Sequence, residues 1–128
     1  MPNGAARILV VEDNRTLRVA LSAALISAGY DVTPCADGEE AIRVVQRDGC
    51  FDVVIMDYRL GGRTGAETAL ELEQLCRGMP VVFCTGYSVI DLPDDPPDNR
   101  RHVVLTKPVT DTALLEAVEA LLREPPGQ

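Results

Sequence analysis

A chain of 128 residues with 46% hydrophobic and 25% charged residues reads as a single globular domain that buries its own core. No apolar run approaches the ~20 residues of a membrane helix, and the N-terminus carries no charged-then-apolar signal pattern, so the cytoplasm is the expected address. The net charge of −8 excludes a basic nucleic-acid surface and disfavours anionic membranes.

Short β-type runs alternate with longer helical ones. "RILVVED" is an apolar run that ends in acids. Leu17, Leu21 and Leu25, with Ala20, Ala24 and Ala28, repeat at i, i+4 and predict one helix face, stopped by Gly29. Either Asp13 or Asn14 can cap that helix. "YDVTPC" predicts a second strand, and its proline places it at a sheet edge. In the next helix Asp37 and Glu40 have capping-box spacing, and Gly49 is the stop. "FDVVIMD" reads as a strand buried on both faces, followed by the loop "YRLGGRTG". A third helix carries Ala66, Ala69, Leu70, Leu72 and Leu75 and ends at Gly78. "PVVFCT" and "RHVVLTK" are the fourth and fifth strands. A last helix begins near Thr110, with Leu114, Val118, Leu121 and Leu122 as its buried stripe, and 124–128 is a tail. Strands alternating with helices imply parallel βαβ units in a doubly wound sheet, with a core at about 6–123. Between the last two strands Pro93, Pro96 and Pro97 sit among four aspartates, which predicts a helix cut to about a turn near Val89–Leu92 or replaced by an acidic loop. The four cysteines include no CxxC pair and are expected to be reduced thiols, with Cys84 buried.

In open α/β sheets the ligand lies outside the carboxyl ends of the strands. Those ends carry Glu12 and Asp13, then Asp57, Thr85 and Lys107. Clustered carboxylates repel unless a cation sits among them, and an oxygen-only donor set with open positions suits Mg²⁺. A cation beside a carboxylate, a hydroxyl and an ammonium is a site for a phosphoryl group. Asp57 can itself attack phosphorus and become an aspartyl phosphate. Taken singly, each residue has a plainer use as a cap, a β-former or a solvated charge; their coincidence on one rim favours the phosphoryl site.

With "ILVVEDN", "VIMDYRLGGRTG", "VVFCTGY" and "LTKP" in this order, the sequence resembles the receiver domain of bacterial two-component response regulators along nearly its whole length. The resemblance implies a flavodoxin-like strand order 2-1-3-4-5 and Asp57 as the phosphoacceptor from a phosphohistidine on a sensor kinase or histidine phosphotransfer protein. It implies Mg²⁺ on Asp13, Asp57 and the backbone carbonyl of Arg59, with Glu12 acting through water. Thr85 and Lys107 would bind the acyl phosphate, and the Lys107–Pro108 bond is cis in many such domains. The output would be binding of a downstream protein, with no direct nucleic acid or membrane contact; a homodimer through the fifth strand and last helix is a use the family allows. Two departures stand out. Val104 occupies the place of the usual switching aromatic, and Gly61 that of a common proline. Two other readings compete. A pseudo-receiver would dock partners without phosphoryl transfer. A phosphohydrolase of the haloacid-dehalogenase type would need a DxD around its nucleophile, which Asp57 lacks.

Overall fold

The computed structural model describes residues 5–60, 63–86 and 102–123. The elements run β1 (Arg7–Val11), α1 (Arg15–Ser27), β2 (Asp31–Cys35), α2 (Gly38–Asp48), β3 (Val53–Asp57), β4 (Arg59–Leu60), β5 (Arg63–Thr64), α3 (Gly65–Leu75), β6 (Val81–Thr85), β7 (His102–Thr106) and α4 (Asp111–Arg123). Five strands form one parallel sheet in the order β2-β1-β3-β6-β7. This is the expected 2-1-3-4-5 order, since β6 and β7 are the fourth and fifth strands of the sequence reading. The segment read as the loop "YRLGGRTG" contains a small antiparallel pair, β4 with β5, in register Arg59↔Thr64. Pro34 lies on the edge strand β2, as expected. The helix expected to be cut short between the last two strands, and Gly61, fall outside the described residues.

The side-chain period of two divides the strands between two core layers. Leu9, Val11, Val54, Met56, Val81 and Phe83 face the layer closed by α2 and α3. Ile8, Val10, Val53, Ile55, Val82 and Cys84 face the layer closed by α1 and α4. Val53 through Met56 are 0–1% exposed, so the β3 run is apolar on both faces because both are covered. Each such side chain contributes about 1.5–3 kcal/mol by leaving water.

Local chemistry sets the helix ends. Asn14, not Asp13, caps α1: its Oδ1 accepts from the Leu17 N–H at 2.9 Å. Asp37 Oδ1 accepts from Glu40 N–H at 2.8 Å, and the Glu40 carboxylate accepts from Ala36 N–H at 2.8 Å. Thr110 caps α4 through the Ala113 N–H. In α3 the buried stripe is Ala69, Leu72 and the following Cys76, whereas Leu70 and Leu75 are exposed. Gly65 opens α3 where the backbone turns back on β3. A Cβ there would lie 2.6 Å from the Asp57 carbonyl oxygen, so no other residue fits without backbone movement.

The expectation of four reduced thiols is corrected. Cys50 and Cys76 form a disulfide, with Cα atoms 5.8 Å apart, while Cys35 and Cys84 are free and buried. The parallel crossover explains the meeting. After β3, α3 must carry the chain back to the starting edge of the sheet before β6 can pair parallel to β3. Cys76, just past α3, therefore arrives beside Cys50, just before β3. Arg7 holds the Cys50 side of this junction. Its guanidinium donates to the Cys50 and Asp48 carbonyls at 3.0 and 3.3 Å and stacks 4.3 Å above the Phe51 ring.

Candidate functional site

The carboxyl ends of β1, β3, β6 and β7 lie side by side because these strands are neighbours in the sheet. Glu12 follows β1 and is 1% exposed; Asp13, the next residue, is exposed. The connection carrying both acids is pinned. Glu12 N–H donates to the Cys35 carbonyl at 3.0 Å, and Arg18 Nη1 donates to the Glu12 carbonyl at 2.8 Å. Asp57 ends β3 in register with Cys84, and Tyr58 N–H donates to the Cys84 carbonyl at 2.9 Å. Thr85, buried, ends β6, and its carbonyl accepts from Lys107 N–H at 2.7 Å. The peptide bond between Lys107 and Pro108 is cis.

The side chains of these residues converge. Lys107 Nζ donates to Asp57 Oδ2 at 3.1 Å and lies 3.5 Å from Glu12 Oε1. Carboxylate oxygens of Glu12, Asp13 and Asp57 all lie within 4.8 Å of one another. Three carboxylates against one ammonium leave a formal charge of −2, the complement of a divalent ion. Burial pushes the Glu12 carboxyl up to about 7; the hydrogen bond from Asn14 N–H opposes this and the Asp57 charge adds to it. Partial burial pulls the Lys107 ammonium down, but the hydrogen bond to Asp57 and the charges of Asp57 and Glu12 outweigh it, so its pKa is raised. Among the described residues Glu12 Oε1 is buried with no hydrogen-bond partner, facing the Lys107 ammonium at 3.5 Å. A buried carboxylate oxygen that no hydrogen bond satisfies, beside two further carboxylates, fits a hard cation directly or through water.

The structure thus brings together Glu12, Asp13, Asp57 and Lys107, and it sets Thr85 on the adjoining strand end. Arg59 opens β4 two residues past Asp57, next to the pocket in the chain. Three contributors escaped the sequence reading. Arg18 is a helix residue whose tie to Glu12 has no sequence signature. Gly65 is recognisable only once α3 is known to start against Asp57. Tyr58 is fully buried and packs edge-on against Phe83, with ring centroids 5.8 Å apart. Val104, expected to break the usual aromatic coupling, is half-buried and is the register partner of Phe83.

Fold and pocket together define a flavodoxin-like α/β domain with an acidic, lysine-bridged site at its topological switch point. The family model of the response regulator receiver domain matches residues 8–119, and the chain belongs to that family. It is 33% identical over 126 residues to the transcriptional regulatory protein GlrR of Escherichia coli, covering 97% of this chain but 28% of GlrR. It is 30% identical to the response regulator receiver protein CpdR of Brucella abortus, covering 91% of this chain and 96% of CpdR. Among solved structures, the receiver domain of the sensor histidine kinase PA1611 from Pseudomonas aeruginosa, with magnesium coordinated in its active site cleft, superposes with a TM-score of 0.83 at 27% identity. That match covers 94% of this chain and 100% of the other.

Proposed function

We propose that this chain is a phosphoacceptor switch of a two-component system or phosphorelay. The observation that carries the reading is the Lys107 ammonium 3.1 Å from Asp57 Oδ2, with the carboxylates of Glu12 and Asp13 beside it. An Asp57 oxygen attacks the phosphorus of a phosphohistidine on a sensor kinase or histidine phosphotransfer protein; the P–N bond breaks and the imidazole keeps its electron pair and takes a proton. Lys107 exchanges its carboxylate partner for a phosphoryl oxygen, and the Thr85 hydroxyl donates to another. Asp13, Asp57 and the Arg59 carbonyl would hold Mg²⁺, with Glu12 reached through water. When bound, the ion neutralises charge on the phosphoryl oxygens. The chain is a self-catalysing acceptor rather than a turnover enzyme. Its address is the cytoplasm, where phosphohistidine donors act, and no described helix is long and apolar enough to cross a membrane. Residues 1–128 act as one domain with the core at about 6–123, and the output is binding of a downstream protein. With Val104 in the aromatic's place, the Lys107 N–H to Thr85 carbonyl bond at 2.7 Å ties together the two strand ends through which a bound phosphoryl group would act on that output.

The test is intact-protein mass spectrometry after incubation with acetyl phosphate and Mg²⁺, beside Asp57→Asn and an EDTA control. A labile single-phosphate adduct on the unsubstituted protein alone is expected. An equal adduct on Asp57→Asn, or none with a phosphohistidine donor either, would leave a docking module without phosphoryl chemistry.

A further inference from the structure

We propose that Cys50 and Cys76 form a reversible thiol–disulfide exchange site, open to a dithiol reductant, that sets the mobility of α3 and hence of the segment bearing Asp57.

The bond closes a ring from residue 50 to residue 76, a sequence separation of 26. That ring holds β3, Asp57, the β4–β5 pair and α3. At one end of α3, Gly65 packs on the Asp57 and Tyr58 backbone, and its N–H donates to the Tyr58 carbonyl. At the other end the disulfide fastens α3 to the start of β3. The helix behind the phosphoacceptor is therefore clamped at both ends, and only one clamp is chemically reversible.

Three observations make it an exchange site and not merely a staple. Cys50 is exposed, and a groove of about 360 Å³ runs past the bond, lined by Cys50, Asp52, Leu75, Cys76, Arg77 and Pro80 among others. A reductant's sulfur therefore reaches the bond without unfolding the chain. Secondly, both half-cystines are seated by contacts that do not need the bond. Arg7 holds the Cys50 carbonyl, Cys76 N–H donates to Leu72 at 2.7 Å, and the Glu73 carboxylate accepts from Gly78 N–H at 3.1 Å. The contacts on the Cys76 side lie within α3 and its end, so reduction frees α3 from β3 yet leaves each thiol on an intact local backbone from which the bond re-forms. Thirdly, the other two cysteines cannot compete: Cys35 and Cys84 are 1% exposed, and burial pushes both thiols up to about 12. In a reducing compartment a disulfide of this kind is a sensing device more often than a permanent brace.

A thiolate of the dithiol attacks Cys50 Sγ; the Cys50–Cys76 bond breaks and Cys76 leaves as a thiolate that takes a proton from water. The second thiolate of the reductant then attacks its own sulfur in the mixed disulfide and releases Cys50, which is protonated in turn. The dithiol is oxidised to a disulfide and two protein thiols are formed. A disulfide oxidant such as oxidised glutathione runs the sequence backwards.

The full chain, purified without reductant, is treated with dithiothreitol under native conditions and then with N-ethylmaleimide, and labels are located by mass spectrometry. Two labels, on Cys50 and Cys76 and none on Cys35 or Cys84, are expected, and oxidised glutathione should abolish them. Hydrogen exchange of α3 should be at least threefold faster in the reduced form, and Cys50→Ser should reproduce the faster rate without any reductant. Labelling that needs urea, thiols that oxidised glutathione fails to close, or α3 exchange equal in both forms would each overturn the proposal.

Discussion

Replacing Glu12 by Gln should stabilise the metal-free protein, and the effect should depend on pH. The Glu12 charge faces two opposed neighbours. Attraction to Lys107 at 3.5 Å is worth about 5 kcal/mol, and repulsion from Asp57, no more than 4.8 Å away, at least about 3 kcal/mol, at an effective dielectric of ~20. These offset each other to within a few kcal/mol, so the cost of burying a carboxylate that is 1% exposed decides the sign. The net result is a rise from 4.5 to about 7. Below pH 4.5 the group is protonated in both folded and unfolded chains and costs nothing. Between 4.5 and 7 the folded form keeps a proton that the unfolded form releases, so stability falls as pH rises. Above 7 the cost levels off at about 3 kcal/mol. Gln at position 12 keeps an oxygen for the Asn14 N–H, now at 3.1 Å from Oε2, and discards the charge. Urea unfolding in EDTA should show a gain under ~1 kcal/mol at pH 5 and about 3 kcal/mol at pH 8. Mg²⁺ at pH 8 should then stabilise the unsubstituted protein more than the variant. Equal gains at both pH values, or a loss at pH 8, would refute the desolvation argument.

Three further outcomes are expected. Gly65→Ala should cost at least about 1–3 kcal/mol in chemical denaturation, because its Cβ meets backbone atoms of Asp57 and Tyr58 that cannot rotate away, and it should also lower acetyl-phosphate labelling. Stability should decline above pH 9, since Cys35 and Cys84 stay protonated in the fold while the unfolded thiols ionise; each contributes a loss of about 1 kcal/mol by pH 10, and Cys35→Ala should make the decline shallower. Opening the Cys50–Cys76 bond should lower stability by about 3.5 kcal/mol on the loop-closure relation for a separation of 26, seen as a lower urea midpoint of the reduced form.

Residues at strand ends were readable because two patterns coincide there. Alternation and apolar runs locate the strands, and the acids and lysine interrupt them where chain polarity puts the carboxyl edge. Glu12, Asp13, Asp57 and Lys107 follow from that alone. Other features depend on approaches that no local pattern encodes. Asp13 and Asn14 are equally good caps by residue type, and only the observed start of α1 at Arg15 makes Asn14 the cap. Of the expected α3 stripe Ala69 and Leu72 do face inward, but Leu70 and Leu75 are exposed, and Cys76, just past the helix, is buried. The cysteine pairing was misread because composition speaks to compartment, while pairing depends on where the crossover delivers residue 76. The β4–β5 pair is two residues per strand, too short for a period to register.

The burial of Tyr58 gives the pocket its own optical reporter. The chain has no tryptophan and three tyrosines. Tyr58 adjoins Asp57 directly in sequence, is 0% exposed, and is held edge-on to Phe83. A ring fixed in an asymmetric surrounding contributes to near-ultraviolet circular dichroism, a signal that is lost when packing loosens. Events at Asp57 can therefore be followed in the unlabelled protein by tyrosine dichroism, with Tyr58→Phe identifying the band.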